Sequence, residues 1–394
     1  MPRHGLLIVV LAAAIAGGGC AREESAGEGP ATPAVLTPQR ETFENLGFPA
    51  FATKNTTRVA SADATRAAAA VARAVFPEGG TGPRAVTLVD TSDWRVAIAA
   101  AALMGPPIDA PVLFGDGDGL PAASRRALDE LDPQGSKAAG DGQVIRVGDV
   151  AKPQGRKTTD LTGATALALT RSIARLTLSA RSRSAPAVIV TSAEDASIAA
   201  PAAGYAAKTG TPVLFVNKTE IPPETRAALA ALALPRIYVL GPSKAISPQV
   251  TRQLRRLGRV ERFGGQDAVT NAIGVARYTN GTFGWGIEQP GHGLVFARAD
   301  RPLDAVAAAP LSAAGKYGPL LLLDDADQVP RTIQSYLLDI QPGFRTDPVR
   351  GVYNHGLIIG DRKAISTATQ ARLDTLLEIV PERTPDAPPD KPQP

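Results

Sequence analysis

The chain has 394 residues, of which 44% are hydrophobic and 20% charged, and 42 Lys and Arg against 38 Asp and Glu give a net charge of +4. A chain of this length is too long for one ordinary core, so it predicts several domains. The low net charge, the 5% aromatic content and the absence of an interleaved basic and aromatic stripe argue against a nucleic-acid partner.

The amino terminus has the pattern of an export signal. Arg3 precedes an apolar run, Leu6 to Ala16, that is too short to cross a bilayer as a helix. Small residues then lead to Cys20, the sole cysteine. This order predicts a lipoprotein signal peptide over residues 1–20 and an exported chain that is anchored to the membrane, at the cell envelope or cell surface, by a lipid on Cys20. The alternative is an ordinary secretory signal with an incidental thiol.

Two further segments lack the periodicity of helices and strands. Residues 21–50 are rich in Ala, Gly, Glu, Thr and Pro and predict a flexible tether. Residues 384–394 are charged and rich in proline, which predicts a disordered tail. The folded part of the chain is therefore expected between them.

A short apolar pattern occurs three times in that folded part. The copies are Pro111 to Phe114, Pro212 to Phe215 and Pro319 to Leu322. Each is followed by a polar turn and then a helical pattern, which is typical of a buried parallel strand and its following helix. The spacing of about a hundred residues exceeds the roughly 20 to 50 residues of solenoid repeats, so it predicts duplicated domains.

Flanking features keep the same order around each copy. Aspartate stands six residues before proline in the segments that begin at Asp195 and Asp304. Downstream, an apolar strand ending in glycine leads to Lys244 to Ser247 in the second repeat and Lys363 to Ser366 in the third. Each repeat opens with a helical segment that follows Asp63, Thr165 or Asp267.

This order of motifs resembles the cell wall-binding repeat 2 family. The resemblance implies an α/β fold of three tandem Rossmann-like or Toprim-like modules in a pseudo-threefold arrangement. The modules are expected at residues 51–155, where the sequence diverges from the pattern, 156–258 and 259–383. It also implies non-catalytic binding to an anionic cell-wall polymer or a peptidoglycan-linked glycan.

Six residues are predicted to contact that polymer. Lys244 and Lys363 follow strands in loops where a cation and a helix start could hold one phosphate or carboxylate. The alternative is that both lysines are ordinary solvated loop residues. Asp195 and Asp304 could contact the ligand or cap the helices that follow them. The full set is Lys244, Ser247, Lys363, Ser366, Asp195 and Asp304.

The sequence offers little material for catalysis. No hydrolase elbow, zinc-protease motif or phosphate-binding loop occurs, and His292 and His355 lie far apart in sequence. We therefore predict no enzyme activity, no cofactor and no metal. Calcium binding by Asp116 to Asp118 or Asp324 to Asp327 is the alternative to ordinary turn chemistry for these segments.

Two other functions remain open from the sequence. A periplasmic-type solute-binding lipoprotein would need two lobes and a hinge cleft, which three similar repeats do not favour. An accessory module of a cell-wall amidase is the other alternative, because such repeats often accompany these enzymes.

Overall fold

A computed structural model describes residues 50–59, 61–181, 187–232, 234–313 and 317–382, all within one compact unit. Residues 1–20 with Cys20, residues 21–49 of the predicted tether and the tail lie outside the described residues. In the described part of the chain, no helix is both long and apolar enough to cross a membrane.

The helices and strands alternate along the chain. The first repeat contains β1 (Ala50–Ala52), β2 (Thr56–Val59), α1 (Ala64–Val75), β3 (Val86–Asp90), α2 (Trp94–Ala100), β4 (Val112–Gly115), α3 (Ala122–Leu131) and β5 (Val144–Val147). The second contains β6 (Thr158–Leu161), α4 (Ala166–Ser179), β7 (Ala187–Ser192), α5 (Ala196–Ala199), α6 (Ala202–Thr209), β8 (Val213–Val216), α7 (Pro223–Ala230), β9 (Arg236–Leu240) and α8 (Pro248–Leu254). The third contains β10 (Arg259–Phe263), α9 (Ala268–Arg277), β11 (Gly293–Arg298), α10 (Pro302–Ala313), β12 (Tyr317–Leu323), α11 (Arg331–Asp339), β13 (Gly343–Phe344), β14 (His355–Ile359), α12 (Thr367–Leu376) and β15 (Val380–Pro381).

Three parallel sheets share one strand order, which confirms the predicted α/β class. The orders are β4-β3-β5-β6 in the first sheet, β8-β7-β9-β10 in the second and β12-β11-β14-β2 in the third. β1 extends the third sheet antiparallel to β2, and β13 and β15 form a separate parallel pair.

The repeated apolar segments lie in β4, β8 and β12, and their prediction as buried parallel strands is confirmed for all three. Every residue of β4 and β8 is buried although each strand lies at a sheet edge. The opening helix of the same repeat covers that edge strand, since α1 contacts β4, α4 contacts β8 and α9 contacts β12. Covering in this way keeps a hydrophobic edge out of water.

One strand of each repeat belongs to the sheet of the repeat before it. Residues 156–258 were predicted as one module, yet β6 pairs with β5 of the first sheet. Likewise β10 pairs with β9 of the second sheet. β2 stands first in the chain and pairs with β14 of the third sheet, with Thr56 opposite Gly356. Each sheet therefore contains one strand from a different repeat, and the third sheet receives its strand from the first repeat.

The three opening helices begin at the residues marked by the sequence. The side chains of Asp63, Thr165 and Asp267 accept hydrogen bonds from backbone N–H groups of the first turn at 2.8, 3.1 and 2.8 Å. A side-chain acceptor at this position satisfies a backbone donor that has no partner within the helix. Polar residues at equal spacing thus serve as helix caps.

Equivalent alanine-rich helices from the three repeats contact each other pairwise. They are α2 with the 3-10 turn Ala101–Met104, α6, and α10. Their alanines are almost fully buried, and a side chain at Gly204 of α6 would approach Ser312 Oγ of α10 to 2.8 Å. Small residues therefore allow the close helix packing that joins the repeats. The pseudo-threefold arrangement stays a prediction, and mutual contact of these helices is what it requires.

Candidate functional site

The predicted lysines lie in equivalent loops at the carboxyl ends of two sheets. Lys244 follows β9 and Lys363 follows β14, and both side chains are exposed. Ser247 and Ser366 cap the helices that follow, each accepting a backbone hydrogen bond at 3.2 Å. The predicted helix starts are therefore confirmed.

The two serines are largely occupied within the fold. The Ser247 N–H donates to the Lys218 carbonyl at 3.0 Å, and the Ser366 N–H donates to the Ala326 carbonyl at 2.8 Å. These bonds tie each lysine loop to the turn after the edge strand of the same sheet. Because both the hydroxyl and the N–H are used in this way, a bound anion would depend mainly on the lysine.

In the second and third sheets, an arginine from the last parallel strand in the sheet order donates hydrogen bonds to the lysine loop. Arg58 of β2 is 2% exposed. It donates to the side chain of Gln370 at 2.9 Å and to the carbonyls of Gly360 and Asp361 at 2.9 and 3.0 Å. Burial, followed by the charge of Arg362, lowers the pKa of Arg58 to about 10. Its positive charge therefore lies directly beneath the Lys363 loop.

In the second sheet, a less buried arginine makes the equivalent hydrogen bonds. Arg262 of β10 donates to the carbonyls of Gly241 and Ile246 and to the hydroxyl of Thr251. Burial lowers the pKa of Arg262. Sequence reasoning missed both arginines, although each occupies the penultimate position of its strand.

Glycine is required where each of these loops begins. Gly241 and Gly360 have φ values of +114° and +115°. A side chain there would come within 2.6 Å of Ile198 Cγ2 or 2.8 Å of Ala364 Cβ. Gly148 of the first sheet has φ of +82°, but its nearest neighbour would be 3.4 Å away. The backbone turn is thus shared by all three sheets, and the crowding is confined to two of them.

The aspartate-rich segments make hydrogen bonds typical of turns. Asp116 accepts from the N–H groups of Asp118 and Gly119 at 3.1 and 3.0 Å, and Asp325 accepts from the N–H of Asp327 at 2.6 Å. Among the residues that the structure describes, no group of three or more His, Cys, Asp or Glu is placed to hold a metal ion.

The two predicted aspartates differ in their environments. Asp195 caps α5 and accepts from the N–H groups of Ser197 and Ile198. Of the two roles open for Asp304, ligand contact and helix capping, capping is wrong. Asp304 lies inside the first turn of α10, since Pro302 starts the helix two residues earlier. Proline is favoured at the first helical position because its φ is already helical.

Asp304 instead forms a buried ion pair. Asp304 is 2% exposed, and Arg301 Nε lies 2.6 Å from its Oδ2, although the alignment is not that of a hydrogen bond. Arg301 also donates to the Ala62 carbonyl at 2.9 Å. Burial raises the pKa of Asp304 to about 6, against the opposing effect of Arg301.

This ion pair borders a cleft of about 360 Å³. Its lining joins the loop after β3 to the start of α10 and includes Thr91, Ser92, Trp94, Arg301, Leu303 and Asp304. A second cleft of about 270 Å³ lies on the other side of the β3 loop, between Asp93 and Asp149. Both clefts are near the carboxyl ends of parallel strands, where ligands of open α/β sheets usually bind.

The two histidines are closer in the structure than their sequence positions suggested. The backbone N–H of His355 donates to the carbonyl of His292 at 3.0 Å, and His355 Nε2 lies 2.9 Å from Thr57 Oγ1. Burial lowers the pKa of both imidazoles. They lie at the amino ends of β11 and β14, at the opposite end of the third sheet from the lysine loop.

Comparisons with known proteins agree with the repeat pattern. Residues 161–251 and 262–370 match the family described as cell wall binding domain 2, and these segments together exceed half of the chain. No curated protein matches the sequence.

Two solved structures are similar in fold. Cwp6 from Clostridium difficile has 18% sequence identity and a TM-score of 0.64 over 84% of this chain and 50% of its own. Cwp8 from the same organism has 17% identity and a TM-score of 0.62 over 82% of this chain and 52% of its own. The chain thus spans about half the length of either structure.

Proposed function

This chain belongs to the cell wall binding domain 2 family, and from that premise we propose that it attaches to the bacterial cell wall by non-catalytic binding. The family match over two separate segments is the observation that carries the proposal. Two binding segments in one chain would raise the avidity for a repeating polymer, provided that the polymer spans both sites.

The ligand in this proposal is an anionic polymer of the wall. Lys244 and Lys363 are exposed at equivalent positions in the two matched segments. Each lies in the loop after the third strand of its sheet, β9 or β14. A phosphate or carboxylate of the polymer would pair with each lysine. Such exposed contacts are screened over about 10 Å at roughly 0.1 M salt, so binding should weaken as salt rises.

Co-sedimentation with purified walls tests this function. The mature protein should pellet with intact walls and should remain in solution once the anionic polymers have been extracted from them. Equal pelleting with extracted walls would contradict the assignment of an anionic ligand, and no pelleting with intact walls would contradict wall binding itself.

A pair of charge-matched variants tests the lysines. Lys244→Ala with Lys363→Ala should weaken wall binding about five- to thirtyfold, because two screened contacts are worth roughly 0.5–1 kcal/mol each. It should also reduce the salt dependence. The control is Lys137→Ala with Lys152→Ala, which removes the same charge from exposed positions of the first repeat. Equal binding by both double variants would remove the lysine loops from the site.

The membrane anchor is a separate part of the proposal. A lipid on Cys20 would keep the exported protein at the membrane while the repeats bind the wall. Cys20→Ala should release the protein from the membrane fraction. Undiminished labelling of that variant with a tagged fatty acid would show that the lipid is elsewhere.

A further inference from the structure

The cleft between the loop after β3 and the start of α10 has the size and lining of a ligand site. Its volume of about 360 Å³ falls within the roughly 300–1,000 Å³ that is usual for small-molecule sites. Trp94, Pro302 and Leu303 provide apolar lining, and Thr91, Ser92 and Arg301 provide polar groups. Mostly apolar clefts with a few polar groups are the common form of binding sites.

The indole of Trp94 is held in place by its neighbours. The Arg95 guanidinium lies over the ring, 4.7 Å from its centroid, and Phe215 packs edge-on with a centroid distance of 5.8 Å. Arg95 is itself fixed by Asp93 at 2.9 Å and by the Ala193 carbonyl at 2.7 Å. A ring that is already ordered loses little conformational freedom when a ligand packs against it.

The guanidinium of Arg301 is also held in place by its neighbours. Asp304 pairs with Nε, and the Ala62 carbonyl accepts from Nη2. Among the described residues, no hydrogen bond or ion pair engages Nη1, so that amino group can donate to a ligand. Asp304 is buried and acts as a positioning residue, because it sets the direction of the guanidinium.

We propose that this cleft binds one sugar ring that carries a phosphate or carboxylate group. The C–H face of the sugar packs on Trp94, whose ring faces carry partial negative charge. Thr91 and Ser92 line the same cleft; in this proposal their hydroxyls pair with sugar hydroxyls, and Arg301 pairs with the anionic group. The inference rests on the proposed function, since it makes this cleft a subsite for the wall polymer.

The position of the cleft supports one continuous polymer site. A Cβ at Gly360, where the Lys363 loop begins, would lie 3.6 Å from Asp304 Oδ2. The cleft and the lysine loop are therefore adjacent, although half of the cleft comes from the first repeat. The family match does not include that repeat, so the cleft extends the polymer contact beyond the matched segments.

Fluorescence offers a direct test because the chain has only two tryptophans, Trp94 and Trp285. In a Trp285→Phe variant, Trp94 is the sole reporter and the cleft is unaltered. Titration with soluble anionic polysaccharide released from purified walls should give a saturable change in its emission. The matched Trp94→Phe variant, which keeps Trp285, should give no saturable change.

Three controls decide the ligand class and the role in wall binding. Inorganic phosphate at the same anion concentration should have little effect on Trp94, whereas an equal response would indicate an anion site without sugar recognition. Trp94→Ala should weaken wall co-sedimentation about tenfold, as expected for the loss of roughly 1.4 kcal/mol of ring packing, while Trp285→Ala should not.

Unchanged Trp94 emission in a protein that still pellets with walls would overturn the subsite and leave the proposed function standing. Failure of the wild type to pellet would contradict the function, and the polysaccharide titration would still report on the cleft.

Discussion

The first and third sheets have the same strand order but hold their carboxyl-end loops with different residues. In the third sheet, Arg58 of the last strand donates to the loop after β14, and its neighbour in register is Ile358. In the first sheet the equivalent neighbours are Asp160 and Arg146. There the arginine stands on the adjacent strand, pairs with Asp160 at 2.7 Å and donates to the Val150 carbonyl at 2.9 Å.

The comparison shows that the interaction is retained while the position that supplies it has changed. In both sheets a guanidinium satisfies carbonyls of the loop that follows the third strand. A motif read along the sequence misses this equivalence, since it expects one residue type at one position. The first repeat lies outside the family match yet has the same strand order as the other two.

Removal of β2, which the first repeat contributes to the third sheet, should have the largest effect. A chain that lacks residues 1–59 loses β1, β2 and Arg58, so the edge of β14 becomes unpaired. We expect the free energy of unfolding to fall by more than about 5 kcal/mol, or the protein to become insoluble. Urea denaturation followed by circular dichroism measures the change. The control is a chain that lacks residues 1–49 only. Equal denaturation midpoints for the two chains would contradict the proposal that the pairing of β2 with β14 stabilises the third sheet.

Single substitutions rank the buried arginines. Arg58→Ala should destabilise the protein by about 3–5 kcal/mol, because several buried carbonyls lose a charged donor. Arg262→Ala should cost about 1–3 kcal/mol, because that site is open enough for water to replace the donor. Thermal unfolding measures both. Arg66→Ala is the control, since that side chain is 77% exposed, and a cost for Arg58→Ala no larger than for this control would refute the anchoring role.

The buried carboxylate of Asp304 predicts a pH dependence. Its pKa is raised to about 6, so the folded state binds a proton that the unfolded state has released between about pH 4 and pH 6. The resulting stabilisation is complete below the unfolded pKa and is lost as pH rises through 6. Relative to Asp304→Asn, the wild type should therefore lose about 2 kcal/mol between pH 4 and pH 7. Parallel pH profiles of unfolding for the two proteins would exclude the shift.

The loop glycines should give the smallest effects and separate the sheets. Gly241→Ala and Gly360→Ala should each cost about 2 kcal/mol, from an unfavourable backbone conformation combined with crowding. Gly148→Ala should cost about 1 kcal/mol, since only the conformation is unfavourable there. Denaturant midpoints provide the measurement. Equal costs at the three positions would mean that the first loop is as tightly packed as the others.

Local patterns were sufficient to predict much of the fold. The apolar segments, the helix starts at Ser247 and Ser366 and the strand-ending glycines depend on neighbouring residues, and each is present in the structure. The sheet that receives β2 could not be predicted in this way, because strand pairing depends on residues far apart in the chain. Before its partners are known, Arg58 looks like any polar residue of a short strand.

The candidate site was predictable to a similar limit. The exposed lysine loops follow from the repeated motif, but the cleft depends on Trp94 and Arg301, from different repeats, lining the same space. Trp94 is the first residue of α2, directly after its cap Asp93, and nothing in the local sequence indicates a role in a cleft. For Asp304, the competing signal was Pro302, which moves the start of the helix.

The return of β2 to the third sheet determines when folding can finish. Arg58 and Gln370 are 312 positions apart, whereas β6 and β10 find partners close by in the chain. Long loop closures cost entropy and slow the formation of the contacts that need them. We therefore expect pulsed hydrogen exchange during refolding to protect the amides of β9 before those of β14. During synthesis, β2 emerges early and has no partner until nearly the whole chain is made, so a prematurely terminated product leaves its strand edge unpaired and is prone to aggregation or proteolysis.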